Sequence, residues 1–539
     1  MANDWWKGAV VYQIYPRSFL DTNGDGIGDL AGIEKKLDHI AGLGADAVWL
    51  SPIYPTPNRD FGYDISDYVG IAPEMGTLDS FDRLLAATHE RGMKLILDQV
   101  LSHTSDQHPW FLESQLSKDN EKSDWYVWAE AKEDGTVPNN WMSAFGGPAW
   151  SWHPLRRQYY FHKFLKQQPK LNFHKPEVVS ACMDVLRFWL DRGVDGFRLD
   201  VANSYLHDAQ LTDNPPTPRE ERTFLDWAHA PRLQQHIHDA NMPENEWAMR
   251  EVRKVMDEYE GRFAFGEFSE RPEMLGRYTG PEHLHSAYTF DFIEDFMFQP
   301  QLFRDYYEKL LADLPDLTPC VTFSNHDVVR PVTRWGGGQN GERGDDALAK
   351  LALTLLVSLK GTVLMYQGEE LGLPEVDLEQ KDIHDPVGDL YFPWAKGRDG
   401  CRTPIPWEAK KAQAGFSSGA PWLPIPDYHR ERAVDVQAAD EASVLTHARA
   451  VVALRHAHPA LGHGEISFLD TEGSVLAFTR EEGGEKILCV FNLGKEGEAR
   501  FALPDTLTAA GDIFSLAGAG FSDGAVALPP RGAWLARVG

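Results

Sequence analysis

Cysteine is scarce in this chain of 539 residues: only Cys182, Cys320, Cys401 and Cys489, far apart and without paired spacing. That excludes a disulfide framework and a zinc knuckle and leaves four reduced thiols as the plain reading. No apolar run approaches the roughly 18 residues of a membrane span. The opening Met1–Trp6 has neither a basic stretch nor a long apolar one, so no secretion signal is visible and a soluble, cytoplasmic chain is expected. Basic side chains are outnumbered, 52 against 81 acidic, for a formal charge of −29. So negative a surface repels nucleic acid and anionic lipid, and neither is expected as a partner; a neutral substrate fits. What the chain does have is hydrophobic residues (42%) and aromatics (12%), enough for large cores, and disorder is excluded. The length predicts two to four domains.

Eight short apolar segments recur: Val10–Pro16, Ala47–Pro52, Leu95–Val100, Gly196–Val201, Phe263–Phe268, Ala287–Phe292, Val321–Asp327 and Val363–Glu370. Apolar on both faces and rich in Val, Ile and Phe, most read as buried strands. Helical patterns lie between them, with Ile33, Leu37 and Ile40 on one face, Phe81, Leu84, Leu85 and Thr88 on another, and Val178, Cys182, Val185 and Trp189 on a third. These helices tend to end in glycine, at Gly44, Gly92 and Gly193. Eight strand–helix units predict an α/β fold, a closed (β/α)8 TIM barrel; an open doubly wound sheet would not normally need eight.

The barrel is expected over residues 1–104 and 177–460. A Trp-, Pro- and Gly-rich subdomain, 105–176, is inserted after strand three. A second, proline-rich insertion runs from about 371 to 427. Both follow strand C-termini, the face where barrels place active sites. From 461 to 539, short strands with Gly-rich turns predict a C-terminal antiparallel β-sandwich. Its expected strands are Ile466–Leu469, Val475–Thr479, Ile487–Phe491, Phe501–Leu503 and Ala533–Val538.

Carboxylates close the strands. Strand three ends in Asp98 to His103, strand four in Arg198-Leu199-Asp200, strand five in Gly266-Glu267 and strand seven in Ser324 to Asp327; Asp60 to Asp64 follow strand two. In one barrel these acids converge on one pocket. Burial without partners would be costly, so packing alone does not explain Asp200, Glu267 and Asp327. For Asp98 the expectation is different: it orders the strand end by hydrogen bonding. Cleaving a glycosidic bond needs one carboxylate as nucleophile and one carboxylic acid as proton donor, and crowding keeps one of them protonated. A divalent metal site could use the same acids, but Arg198 would compete with the cation.

The segments Asp98–His103, Gly196–Asp200, Gly266–Glu267 and Phe323–Asp327 resemble the four conserved regions of the α-amylase family of glycoside hydrolases, in order and spacing. Trp5-Trp6, Tyr12–Phe19 and Gly397–Pro404 resemble its bacterial α-glucosidase and oligo-1,6-glucosidase branch. The resemblance implies Asp200 as nucleophile, Glu267 as general acid/base and Asp327 as transition-state stabiliser. It implies that His103, Arg198 and His326 bind the sugar, that Tyr63 stacks on it, and that Asp60 pairs with Arg398 or Arg402 to hold the non-reducing end. The aromatics Phe145, Phe161 and Phe290 are expected near the pocket mouth.

Asp21-Thr22-Asn23-Gly24-Asp25-Gly26-Ile27-Gly28-Asp29 has oxygen donors at alternate positions and glycines for sharp turns, the pattern of a hard-cation loop. The alternative is a solvated turn capping the next helix. The family counterpart implies Ca2+ held by Asp21, Asn23, Asp25, the Ile27 carbonyl and Asp29, in a structural role. Two features depart from the branch or discriminate within it. Gln168-Pro169-Lys170-Leu171-Asn172 has a base where the branch usually has Asp. Val201, after Asp200, resembles α-1,6-preferring members, though one methyl shifts selectivity by only about 1–3 kcal/mol. The expectation is a retaining, exo-acting α-glucosidase on short α-glucosides, capable of transglucosylation; an oligo-1,6-glucosidase or a sucrose isomerase-like transferase is the alternative.

Overall fold

All eight apolar segments form parallel strands, Val10–Ile14, Ala47–Leu50, Lys94–Gln99, Gly196–Leu199, Phe263–Phe268, Ser286–Thr289, Cys320–Thr322 and Thr362–Tyr366. The computed structural model describes residues 4–222, 230–269, 271–337 and 344–539. Sequential neighbours pair, and the first strand also pairs with the last, Val10 opposite Val363. Between the sixth and seventh strands the ladder gives way to a side-chain link, Ser286 Oγ donating to the Thr318 carbonyl at 2.7 Å. The result is a nearly closed (β/α)8 barrel.

Strand residues alternate between two cores, because successive side chains point to opposite faces. Val10, Tyr12, Ile14, Leu95 and Leu97 pack outward against the helices. Val11, Ala47, Trp49, Ile96, Phe263, Phe265 and Tyr288 fill the barrel interior. Gly196 holds an interior position where a Cβ would lie 2.1 Å from the Phe263 carbonyl oxygen, so a side chain there would push strands four and five apart. The helices Leu30–Leu43, Leu78–Glu90 and Pro176–Asp191 bury the faces expected of them. The first starts on an Asp29 cap and stops at Gly44, whose φ of 87° only glycine adopts cheaply.

After the third strand, Trp128–Ala129, Gln158–Phe161 and Trp150–His153 form a small antiparallel sheet over a core of Val127, Trp141, Ala149, Trp150 and Phe161. At the C-terminus, one sheet orders Glu465–Phe468, Val475–Glu482, Glu485–Asn492, Ala533–Val538 and Ala509–Leu516, and a second holds Ala499–Ala502, Ala525–Leu528 and Gly520–Ser522. Three of these strands, 509–516, 520–522 and 525–528, have no counterpart in the sequence reading. They are built largely of Ala, Gly and Ser, with few branched or aromatic residues to signal a strand. Four free cysteines are buried. Among the described residues, no helix is long and apolar enough to cross a membrane.

Two buried arginines lie where the barrel meets the sandwich, Arg455 on a barrel helix and Arg480 on a sandwich strand that reaches back to the barrel. Arg455 is 1% exposed and donates to the carbonyls of Gly8, Val357, Leu359 and Gly361; Arg480 donates to those of Ser358 and Gly464. Burial draws both guanidiniums down, to about 9 and about 10. They cover the carbonyls that end the helix Asp346–Ser358, where a cation also meets the negative end of the helix dipole. Arg455→Met should therefore cost about 3–5 kcal/mol, since several buried acceptors lose their donor at once. The denaturant midpoint measures this, and a change of a few tenths of a kcal/mol would contradict it.

Candidate active site

The same two-residue period that fills the barrel carries the acids to its C-terminal end. Ile96 is followed on the inner face by Asp98, Gly196 by Arg198 and then Asp200, and Phe263 and Phe265 by Glu267. Arg198 has no exposed surface. Its Nη1 meets Asp98 Oδ1 at 2.8 Å and Asp200 Oδ1 at 2.7 Å, and its Nη2 meets Glu267 Oε1 at 2.5 Å. Tyr288 Oη donates to the same Glu267 oxygen at 2.9 Å, and the Val201 N–H donates to Glu267 Oε2 at 3.2 Å. Trp49 lies under the guanidinium, 5.3 Å from it, and donates to Asp98.

Three carboxylates on one cation leave excess negative charge. Burial pushes the Asp200 carboxyl up; Arg198 opposes this, but the facing Glu267 and Asp98 add to it. Asp98, also buried, is pushed up to about 6. Asp98 and Asp200 are close enough to titrate together, each holding its proton to higher pH than it would alone. Asp327 behaves oppositely. Burial disfavours its charge, but His326, Arg398 and Arg402 outweigh burial and hold it well below the usual carboxylate range. Arg402 Nη2 is 2.7 Å and Arg398 Nη1 3.2 Å from Asp327 Oδ1.

Asp200, Glu267 and Asp327 face one cavity of about 940 Å3, which Asp60, Tyr63, His103, Phe145 and Arg398 also line. Of the two arginines considered for Asp60, Arg398 makes the pair: its Nη2 is 2.7 Å from Asp60 Oδ1 and 2.8 Å from Asp385 Oδ1. Arg402 lies beneath, 1% exposed, donating to the His326 carbonyl. Gln168 Nε2 bonds the second Asp60 oxygen at 3.0 Å and reaches His103 Nε2 at 3.2 Å. Phe290 stands on the same cavity wall.

Three expected positions need correction. Phe161 is fully buried in the inserted sheet, against Trp141 at 5.0 Å and Trp150 at 5.4 Å; Phe164, three residues on, takes the cavity wall beside Phe145. Arg198 is enclosed below the acids rather than open to a ligand. His326 is enclosed too, stacked on Tyr63 at 5.2 Å with its Nε2 2.6 Å from the Tyr63 hydroxyl. Sequence reasoning passed over Tyr288, Phe164 and Asp385. Tyr288 was findable as the inward residue at the end of strand six; the other two lie on loops without periodicity.

The Asp21–Asp29 loop folds on itself. Asp21 Oδ1 accepts from the amides of Asn23 and Gly24, and Oδ2 from Gly26 N and Ser417 Oγ. Asn23 and Asp25 make the same kind of turn to the amides two residues on. Asp29 caps the first helix and also binds Thr22. The loop packs against the second insertion through Phe416, Ser417 and Trp422. Among the described residues, no three or more His, Cys, Asp or Glu side chains converge at metal-binding distance.

The family model for the α-amylase catalytic domain matches residues 13–464. A probable α-glucosidase of Rhizobium meliloti (strain 1021) is 50% identical over 548 aligned positions, covering 99% of this chain and 97% of the relative. An oligo-1,6-glucosidase of Heyndrickxia coagulans is 37% identical, covering 93% and 94%. Among solved structures, the α-glucosyl transfer enzyme XgtA superimposes with a TM-score of 0.94 at 47% identity, over 99% of both chains. The trehalulose synthase MutB of Pseudomonas mesoacidophila MX-45 gives 0.90 at 34%, over 99% of both.

The site's histidines give a direct test. Burial draws His103 and His326 down to about 3, so both are neutral at physiological pH. Unfolding returns them to about 6.5, so the unfolded chain binds more protons than the folded one between those values. Their contribution to stability is full above about pH 6.5 and is lost as pH falls toward 3. NMR of their ring carbons should show no titration from pH 5 to 8; a midpoint near 6.5 would contradict it.

Proposed function

The chain belongs to the α-amylase family of glycoside hydrolases, and on that premise we propose that it is a retaining, exo-acting α-glucosidase. Asp200 attacks the anomeric carbon of a terminal glucosyl unit while Glu267 protonates the departing oxygen. A β-glucosyl ester on Asp200 forms, and water, deprotonated by Glu267, releases α-glucose. Asp98 and Arg198 stay out of the bond changes. Arg198 keeps Asp200 and Glu267 facing one sugar, and Asp98 holds Arg198. Asp327, kept ionised by two guanidiniums, accepts hydrogen bonds from sugar hydroxyls and stabilises the positive charge that develops on the ring. Tyr63 offers a face to the ring's C–H side.

The observation that carries this reading is the pairing of Asp200 with Glu267 through Arg198 in a cavity whose far end holds the Asp60–Arg398–Asp385 group. That charged block suits the last hydroxyls of a chain end and favours action there. Short α-glucosides of the maltose and sucrose type are the substrates that fit. An acceptor alcohol in place of water gives transglucosylation, and the overall likeness to an α-glucosyl transfer enzyme and to a trehalulose synthase favours this second outcome of the same intermediate. Action in the cytoplasm accords with four buried free thiols and no disulfide.

We also propose that the Asp21–Asp29 loop holds a structural Ca2+, the oxygen-only donor set suiting a hard cation. Asp21, Asn23, Asp25, the Ile27 carbonyl and Asp29 would hold it. Gly24 and Gly26, at φ of 86° and 91°, supply the sharp turns. Bound there, the ion would cross-link the loop to the insertion that covers it, far from the reacting carbon.

Glu267→Gln should lower kcat on maltose about 10²–10⁴-fold, and Asp200→Ala should reduce turnover to background, both with unchanged circular dichroism. Retention of near wild-type rates by Glu267→Gln would refute the acid assignment. Proton NMR of the first product should show α-glucose. A product profile on maltose, isomaltose and sucrose separates hydrolysis from transfer and from isomerisation. Chelation should lower the melting temperature while leaving kcat unchanged at temperatures well below the transition; a selective loss of rate would place the ion at the active site instead.

A further inference from the structure

The lysine that replaces the usual acid in Gln168–Asn172 is fully buried, and its Nζ donates to the carbonyl of Ser204. Ser204 ends the turn that follows Asp200. That turn opens with Val201 in the left-handed region, φ 38° and ψ 49°, a conformation a β-branched residue avoids. Strain there must be held by the surroundings, and the turn's four carbonyls each have a donor. Val201 O accepts from Ser204, Ala202 O from Asn245 Nδ2, Asn203 O from the Asn241 amide, and Ser204 O from Lys170.

Three of those donors come from the turn itself or from the segment after it. Lys170 alone of the four comes from the inserted subdomain, where its backbone bonds Phe161 and Val127. Two residues earlier, Gln168 binds Asp60 and His103 across the cavity. The strained conformation has a chemical consequence: it directs the Val201 N–H at Glu267 Oε2. Burial draws the Lys170 amine down to about 7, yet it remains an N–H donor in either protonation state.

We propose that Lys170 is a positioning residue for proton transfer: by clamping the Ser204 carbonyl it keeps Val201 in the conformation that orients the Glu267 carboxyl toward the leaving oxygen. This rests on the reading of Glu267 as the acid. Lys170 touches neither substrate nor reacting atoms and acts through the turn. A loss of the clamp lets the Val201–Ser204 turn relax toward an unstrained conformation, and the amide donor swings away from Glu267. Asp200 is anchored separately, by Arg198 and by its own N–H on the Gln99 carbonyl at 2.9 Å, so the nucleophile keeps its place.

The test compares kcat/KM for maltose, whose leaving group needs a proton, with that for α-glucosyl fluoride, whose leaving group needs little help. Lys170→Met should lower the maltose value about 10–100-fold and the fluoride value less than about threefold, as expected when acid assistance is impaired and the nucleophile is not. The alkaline limb of the maltose pH profile, which reports the proton donor, should move in the same variant while the acid limb stays in place. An equal fall on both substrates, or no fall on either, would overturn the proposal. Lys170→Asp, carrying the acid usual in the resembling branch, should show the same selective loss, and Lys170→Arg should restore the wild-type ratio; these keep the test open if the methionine variant folds poorly. Glu267→Gln serves as the control. If it too falls equally on both substrates, the acid assignment fails, whereas a selective fall there with an unselective one in Lys170→Met rejects only the positioning role.

Discussion

One buried guanidinium organises the reaction centre. Arg198 meets Asp98, Asp200 and Glu267 with no solvent to screen it. Removing a charge from water is expensive, and only close, well-oriented partners offset that cost. The partners in turn need the cation: three carboxylates gathered without it would repel one another. Strands three, four and five are therefore tied at their ends by a single side chain. The identity of the strand neighbours in the barrel is what makes that possible. Glycine at position 196 lets the fourth and fifth strands approach, and Trp49 from the second strand supplies the floor.

Charge is unevenly shared across the cavity. Within the ion-pair network at its floor and one wall, six carboxylates, Asp60, Asp98, Asp200, Glu267, Asp327 and Asp385, meet three guanidiniums, Arg198, Arg398 and Arg402. Arg398 and Arg402 lie at the Asp327 end, whose carboxyl is held well below the usual range, while Arg198 alone meets three acids at the other end, where burial and the facing carboxylates push Asp200 up. A nucleophile and acid at one end and a permanent anion at the other are what a retaining glycosidase requires. At physiological pH burial keeps both site imidazoles neutral, so there the two guanidiniums carry the positive charge opposite Asp327.

The inserted subdomain does more than roof the cavity. The segment that closes it, through Gln168 and Lys170, reaches both the Asp60 end and the turn after Asp200. Phe145 and Phe164 add an apolar wall. The second insertion supplies Asp385, Arg398 and Arg402 and also clasps the Asp21–Asp29 loop. Two insertions in the chain thus contribute to one site because both leave the barrel at strand C-termini.

Much of this was legible in the amino-acid order alone. Each barrel strand is a short apolar run, and Asp200 and Glu267 end their strands in step with the two-residue period of the inner face, so the barrel and that acid pair followed from local pattern; Asp327 lies beyond the end of strand seven, out of that period. The strands at 509–528 were not legible, being poor in branched residues. Nor was the choice of Arg398 over Arg402 for Asp60, the burial of Phe161 while Phe164 takes the wall, the enclosure of Arg198 and His326, or the grip of Lys170 on Ser204. Each of these depends on which of two nearby side chains points inward on an irregular loop, or on a contact between residues far apart in sequence. Periodicity carries no information about either; packing and the saturation of buried donors decide them, and those exist only once the chain is folded.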